Sequence, residues 1–196
     1  MNIPELYNQF RKHPEGTWIM QWPNAVELYD WIKNHSVKKI LGLGTGIGLS
    51  DAIIALAMKD KGEENYHIDS VEQYDKCIAL ASKMIPEELK KNLTIHKSGV
   101  SVWNHEKMPY QNYSIYTALP EGDFDVIIND GPSPFLEGDN YIDLPNGTIH
   151  KLLTEEKLKA GTQVIYDGRL SSLRALERYF SKNFVATHVP VQGNNL

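Results

Sequence analysis

The stretch KKILGLGTGIGLSDAIIAL, residues 38–56, decides the fold of this chain. A short apolar run leads into glycines at alternate positions, and a helical pattern follows; the glycines are Gly42, Gly44, Gly46 and Gly48. Glycines let a backbone approach a ligand closely, and the N-terminus of a helix offers N–H groups that have no partner within the helix. The stretch therefore predicts a strand, a ligand-binding turn and a helix.

Strand-like and helix-like segments alternate along the rest of the chain. The pattern predicts strands at 38–43, 66–72, 93–98, 124–130, 162–168 and 184–191. It predicts helices at 3–12, at 24–34 with Asn24 as N-cap, at 49–60, from 73 to about 85, at 147–161 and at 170–182. Such alternation predicts an α/β fold with a mostly parallel sheet and helices on both faces. We expect a small N-terminal helical cap at 1–35 and one globular domain at 36–196.

Composition narrows the class of protein. The chain has 196 residues, a net charge of −5 and one cysteine, Cys77, so an internal disulfide and a zinc site built on cysteines are excluded. An acidic chain without a basic patch does not favour nucleic acid. No apolar run reaches the roughly 18 residues that cross a bilayer, and the first residues lack a signal peptide. We expect a cytoplasmic protein that binds neither nucleic acid nor membrane and could form a homo-oligomer.

The spacing of the glycines shows which of the known nucleotide-binding motifs this stretch fits. No register fits the dinucleotide pattern G-x-G-x-x-G/A, and no Gly-Lys-Ser/Thr follows to make a phosphate-binding loop. Gly44, Gly46 and Gly48 form G-x-G-x-G after an apolar strand, which resembles the first motif of the class I S-adenosylmethionine (SAM)-dependent methyltransferases. The resemblance extends over residues 38–180 and implies a Rossmann-like fold and an enzyme. That family often has an acid two positions before the first of these glycines, where this chain has Gly42.

A second motif concerns the sugar of the cofactor. Glu72 ends the second predicted strand, 24 residues after Gly48. A carboxylate can accept hydrogen bonds from both ribose hydroxyls, and the resemblance implies that role for Glu72; the alternative is a solvated acid at the start of a helix. The resemblance also implies an adenosine pocket near Gln73 and the turn at 98–100. The expected cofactor-binding residues are Gly42, Gly44, Thr45, Gly46, Gly48, Glu72, Gln73, Gly99, Val100 and Asp130.

Candidate catalytic residues stand at the ends of the fourth and fifth predicted strands: Asp130, Asp167 and Arg169. Asp130 and Asp167 are at positions where the similar catechol and caffeoyl-coenzyme A methyltransferases also have acids, which makes them candidate ligands of a divalent cation such as Mg²⁺ or Ca²⁺. Either Asp could instead act as a general base, or both could cap loops without a catalytic role. A bacterial methyltransferase subgroup with a similar Asp-Gly-Pro strand end and a following Asp…Arg pair favours these three residues.

The resemblance implies methyl transfer from SAM to a small-molecule or glycan-type acceptor, at oxygen. The acceptor pocket is expected to lie among Trp103, the 131–148 loop and tyrosines of a predicted hairpin within 99–121, namely Tyr110, Tyr113 and Tyr116. His150 is expected to be a surface or capping residue, and the alternative is that it reaches the site. Two alternatives stay open: an aminopropyltransferase on the same fold, and a cofactor-binding or partner protein without catalytic activity.

Overall fold

The computed structural model describes residues 1–106, 112–132, 144–166, 170–180, 182 and 185. Within them, a parallel sheet of five strands has the order β3-β2-β1-β6-β7, and an antiparallel pair, β4 and β5, lies apart from it. The strands are β1 Lys39–Leu43, β2 His67–Glu72, β3 Leu93–Lys97, β4 Val100–Trp103, β5 Tyr113–Tyr116, β6 Val126–Asn129 and β7 Gln163–Tyr166. The helices are α1 Ile3–Arg11, α2 Trp22–Asn34, α3 Leu49–Lys61, α4 Asp75–Met84, α5 Thr148–Thr154 and α6 Leu170–Phe180, and short 3₁₀ turns lie at Pro14–Trp18 and Glu87–Leu89.

The strand order reverses next to β1. The chain runs outward from β1 through β2 to β3 and then returns to β6, which pairs with β1 on its other side. Open parallel sheets bind ligands beyond the carboxyl ends of their strands at such a reversal. The glycine turn follows β1 directly, so the fold places it at the crevice that the sequence predicts.

Each face of the sheet packs against its own layer. Ile40, Ile68 and Val126 belong to a core that the four N-terminal helices cover. Leu43 and Ile127 belong to a second core on the opposite face, with residues of the β4–β5 pair, α5 and α6. Because neighbouring residues of a strand point to opposite faces, a strand that is covered on both faces needs a continuous apolar run, as residues 126–128 have.

The predicted α/β architecture is confirmed, including the antiparallel pair within 99–121, and two details are wrong. The first is Asn24 as N-cap: α2 begins at Trp22 with Gln21 in the cap position, because Pro23 suits the first helical turn. The second is the long helix at 147–161: α5 ends at Thr154, and Glu156 adopts a left-handed φ of 55° that a helix cannot continue. The predicted strand at 184–191 lies outside the described residues, except for residue 185.

The two N-terminal helices share their core with the sheet. Phe10 of α1 and Leu28 of α2 are buried in the same cluster as Ile53 and Ile54 of α3. The division of the chain at residue 35 stays a prediction. No helix in the part of the chain that the structure describes has the length and apolar character needed to span a membrane.

Candidate functional site

The glycine turn folds over the end of β2. Gly44, Gly46 and Gly48 have positive φ angles of 99°, 52° and 93°, which glycine adopts at little cost. The N–H groups of Gly44 and Thr45 both donate to the Val71 carbonyl, at 2.9 and 3.2 Å. The turn is therefore tied to the second strand immediately before Glu72.

The same turn lies in backbone contact with the end of β6. A Cβ added to Gly44 would lie 2.8 Å from the Gly131 nitrogen and 2.9 Å from the Asp130 carbonyl carbon. The Asp130 N–H donates to the Leu43 carbonyl at 2.9 Å. The fold thus brings Asp130 beside the glycine turn.

Glu72 points its carboxylate at the glycine turn. Oε2 accepts a hydrogen bond from the Gly46 N–H at 2.8 Å. Oε1 accepts from the Gln73 and Tyr74 N–H groups at 2.8 and 2.9 Å. The side chain is buried, with 4% exposed. Glu72 is therefore not a solvated acid at the start of a helix, because its charge is held by three backbone donors inside the protein.

The hydrogen bonds of Glu72 leave room for a ligand on one oxygen. A carboxylate has about four lone-pair positions, two on each oxygen. Two bonds fill Oε1 and one bond fills half of Oε2. The space on the Cβ side of the neighbouring Gly46 is open, with no atom of the described residues within 4 Å. One further hydroxyl can bond to Oε2 while the Gly46 bond remains, whereas two hydroxyls on separate oxygens would have to displace a backbone donor.

The predicted adenine turn lies beside Glu72 at the same edge of the sheet. The Ser98 N–H donates to the Glu72 carbonyl at 2.9 Å, and the Ser98 hydroxyl accepts from the Ala118 N–H at 3.0 Å. The Gly99 carbonyl accepts from the Thr117 N–H at 3.0 Å. The structure therefore brings the Gly99–Val100 turn, Glu72, Gln73 and the glycine turn together, and their roles toward a cofactor remain predictions.

The predicted catalytic residues are described only in part. Asp130 lies at the glycine turn, and the hydroxyl of the buried Tyr116 lies 2.4 Å from where a Cβ of Gly131 would be. Asp167, Arg169 and Tyr110 lie outside the described residues. Among the described residues, no group of three His, Cys, Asp or Glu side chains comes together to hold a metal ion. The divalent cation, with Asp130 and Asp167 as ligands, thus stays a prediction.

Gly42 lies within β1, where its missing side chain leaves room for a buried polar network that sequence reasoning missed. A Cβ added here would lie 3.0 Å from Ser70 Oγ and 3.1 Å from Asp51 Oδ1. The Ser70 hydroxyl donates to Asp51 Oδ2 at 2.9 Å and lies 2.7 Å from Thr45 Oγ1. The signal in the sequence was Asp51 itself, an acid within the apolar run of α3.

A second cluster of buried polar side chains lies on the opposite face of the sheet. The Thr148 N–H donates to Asn146 Oδ1, so Asn146 Nδ2 faces and donates to Asn129 Oδ1 at 3.0 Å. Asn129 Nδ2 and the Tyr166 hydroxyl, on paired residues of β6 and β7, are buried and have no hydrogen-bond partner within the described part of the chain. In the sequence, Asn129 directly precedes Asp130 and Tyr166 directly precedes Asp167, the two predicted site residues.

The expectation that His150 lies at the surface or caps a helix is wrong. Its side chain is fully buried, with the Tyr113 ring at 5.2 Å and the Phe180 ring at 6.2 Å between centroids. Burial lowers the pKa of His150 to about 4, because an apolar environment disfavours the charged imidazolium. His150 is therefore neutral at physiological pH.

Burial acts on Asp51 in the opposite direction. The pKa of Asp51 is raised from 3.8 to about 7, because burial raises it most, the Ser70 hydrogen bond lowers it and the nearby Glu72 charge raises it. The folded state thus keeps a proton that the unfolded state loses above about pH 4. As the pH rises from about 4 to 7, Asp51 lowers the free energy of unfolding by an amount on the order of 4 kcal/mol.

The free energy of unfolding of the Asp51→Asn variant is expected to rise with pH over a range in which that of the native protein stays nearly level. Neutral His150, with its pKa lowered from 6.5 to about 4, contributes stability that rises with pH over that range. In the native protein the opposite slope of Asp51 offsets this rise. Urea unfolding between pH 4.5 and 8 checks the prediction, and parallel curves for variant and native protein would contradict it.

Comparison with solved structures identifies the fold. The chain resembles SAH-bound methyltransferase PaMTH1 of Podospora anserina, with a TM-score of 0.57 and 15% identity over 84% of this chain and 61% of that protein. It also resembles TomG of Streptomyces achromogenes, an O-methyltransferase involved in tomaymycin synthesis and solved with SAM, with a TM-score of 0.57 and 14% identity over 93% of this chain and 78% of that one.

The fold is that of the SAM-dependent methyltransferases. A putative caffeoyl-CoA O-methyltransferase of Staphylococcus aureus shares it, with a TM-score of 0.53 and 16% identity over 95% of this chain and 74% of that protein. No protein-family model and no curated protein matches the chain. The Rossmann-like fold that the resemblance implied is therefore confirmed.

Proposed function

We propose that the protein is a SAM-dependent methyltransferase whose acceptor is a small molecule or a glycan methylated at oxygen. The single observation that carries the proposal is the position of Glu72. Its buried carboxylate is held by three N–H groups and keeps one lone pair beside the open space at Gly46. A hydroxyl of a sugar fits this acceptor better than a phosphate does, because a buried carboxylate repels an anion.

The residues at this edge of the sheet, around Glu72 and the glycine turn, would bind different parts of the cofactor. Glu72 would bind the ribose, Gln73 and the Gly99–Val100 turn would line the adenine, and the backbone of the glycine turn would lie against the methionine end. When bound, SAM supplies an activated methyl group on a sulfonium. The protein then needs above all to align the acceptor with that group, and alignment alone contributes a large share of the rate.

The acceptor would enter beside the end of β6. Asp130 is the candidate group to take up the proton of an acceptor hydroxyl or, with Asp167, to hold a cation that orients it. The buried Asn129 directly precedes Asp130 in the chain, and the Tyr116 hydroxyl lies beside Gly131, which directly follows it. An acceptor oxygen suits such a site, and the net charge of −5 does not favour a polyanionic acceptor such as nucleic acid.

Titration calorimetry with SAM and with S-adenosylhomocysteine tests the proposal. We expect saturable binding at one site per chain, lost in the Gly46→Val variant, whose side chain would fill the open space next to Glu72. Gly62→Val is the matched control, since Gly62 also has a positive φ and open space but ends α3. It should bind like the native protein.

The outcomes separate the alternatives. Absence of heat at millimolar ligand would contradict the proposal. Tighter binding of decarboxylated SAM would indicate an aminopropyltransferase. Binding of SAM without methyl transfer to any member of a broad panel of phenols, hydroxy acids and sugars would favour a cofactor-binding protein that has no catalytic activity.

A further inference from the structure

The hydroxyls of Ser70 and Thr45 connect the carboxylate of Asp51 to the glycine turn. Asp51 lies in the first turn of α3 and is 1% exposed, and Ser70 and Thr45 are also buried. Ser70 donates its one proton to Asp51 Oδ2 at 2.9 Å. When Asp51 is ionised, Ser70 has no second proton, so Thr45 donates in its 2.7 Å hydrogen bond with Ser70. We call this hydrogen-bonded chain of Thr45, Ser70 and Asp51 the relay. It runs from the turn through β2 to α3.

The relay occupies the space of a missing side chain. The Cβ of any larger residue at position 42 would lie 3.0 Å from Ser70 Oγ and 3.1 Å from Asp51 Oδ1. Gly42 has an ordinary backbone conformation for a strand and carries no positive φ. Glycine is thus needed there for space alone, and the space is filled by a carboxylate from another element.

Two buried acidic side chains thus hold one turn from different sides. Glu72 bonds to the Gly46 N–H directly, and Asp51 reaches Thr45, the preceding residue, through Ser70. Burying a second acid near Glu72 is unfavourable for stability, since both the loss of water and the like charge oppose ionisation. An apolar residue at position 51 would avoid that cost, so the acid has a reason other than stability.

We propose that Asp51 is a positioning residue for cofactor binding, which holds the glycine turn in its binding shape through Ser70 and Thr45. The inference rests on the proposed binding of SAM at this turn. It assigns no contact with the cofactor to Asp51, because the side chain is buried beneath the turn. It does require that the relay, not only the volume of the side chain, sets the affinity.

Moving the carboxylate tests the inference. Asp51→Ala should weaken binding of S-adenosylhomocysteine about tenfold, as expected for the loss of one buried hydrogen bond. Gly42→Asp should also weaken it, because the added side chain collides with the relay. The double variant Gly42→Asp/Asp51→Ala should recover to within about threefold of the native affinity, since the new carboxylate can fill the vacated space and accept the proton of Ser70.

Conservative variants separate positioning from simple support of the fold. Asp51→Asn still offers an oxygen to Ser70 and should bind within about threefold of the native protein. Thr45→Val removes the end of the relay at the turn with little change in volume and should match the loss in Asp51→Ala. Thr94→Val, which removes a threonine hydroxyl bonded to His67 at the surface of the same sheet, is the control.

Combining Thr45→Val with Asp51→Ala should cost no more than either change alone, because both break the same relay. Additive losses, or a double variant Gly42→Asp/Asp51→Ala that is folded and binds no better than Asp51→Ala, would overturn the inference. Binding by the native protein itself tests the proposed function, so the two failures are distinguishable. Thermal unfolding of each variant shows that the affinities belong to folded protein.

Discussion

Glu72→Ala is expected to weaken the binding of SAM by about 100-fold or more. The change removes the lone pair that is open to a ribose hydroxyl and releases the Gly46 N–H from the carboxylate. The glycine turn then loses one of its ties to β2. Titration calorimetry at constant pH measures the effect.

The same change should lower the free energy of unfolding, because it leaves three N–H groups at Gly46, Gln73 and Tyr74 without their acceptor. A cost of about 3 kcal/mol is expected. Glu72→Gln should not restore binding, since its NH₂ group would face a donor on one side. Asp69→Ala is the control, because Asp69 is on the same strand and bonds to His96 on the other face of the sheet. Affinity within about threefold of native in folded Glu72→Ala would refute the role of Glu72.

Gly44→Ala is expected to have the largest effect on stability. The new Cβ would lie 2.8 and 2.9 Å from backbone atoms of Gly131 and Asp130, at a φ of 99° that side chains disfavour. Backbone atoms on both sides cannot rotate away as the end of a side chain can. The turn and the end of β6 must therefore separate, with a loss of about 3 kcal/mol or more in the free energy of unfolding.

Gly62→Ala isolates the cost of the backbone conformation from the cost of the collision. Gly62 has a φ of 74°, and a Cβ added there would meet no atom of the described residues within 4 Å, so its replacement should cost about 1 kcal/mol. Urea unfolding of both variants gives the difference. Equal losses would mean that the contact between Gly44 and Gly131 does not hold the turn against β6, and that Asp130 is not positioned by it.

Local patterns were enough to predict most of the secondary structure. The apolar run before the glycines became β1, and the acid that ends the second apolar run became the last residue of β2, next to the turn. Both predictions depend on residues close together in sequence, where the periodicity of the apolar residues and the positive φ of glycine decide the conformation.

Predictions that depended on distant contacts were less successful. His150 follows a polar loop and looked like a surface residue, but the rings of Tyr113 and Phe180 from two other elements enclose it. Asn24 had the chemistry of an N-cap, but Pro23 allowed the helix to start earlier. The burial of a side chain depends on its neighbours in space. Here the neighbours, Tyr113 and Phe180, are more than 25 residues from His150 in the sequence.

The amino-acid sequence by itself determined the order of strands and helices, the glycine turn and the acid at position 72, because apolar periodicity and glycine conformation are local properties. Only the tertiary structure decided what fills the space beside Gly42. A glycine in a strand leaves a gap whose contents depend on which side chains the packing of α3 and β2 brings there, and here they are Asp51 and Ser70.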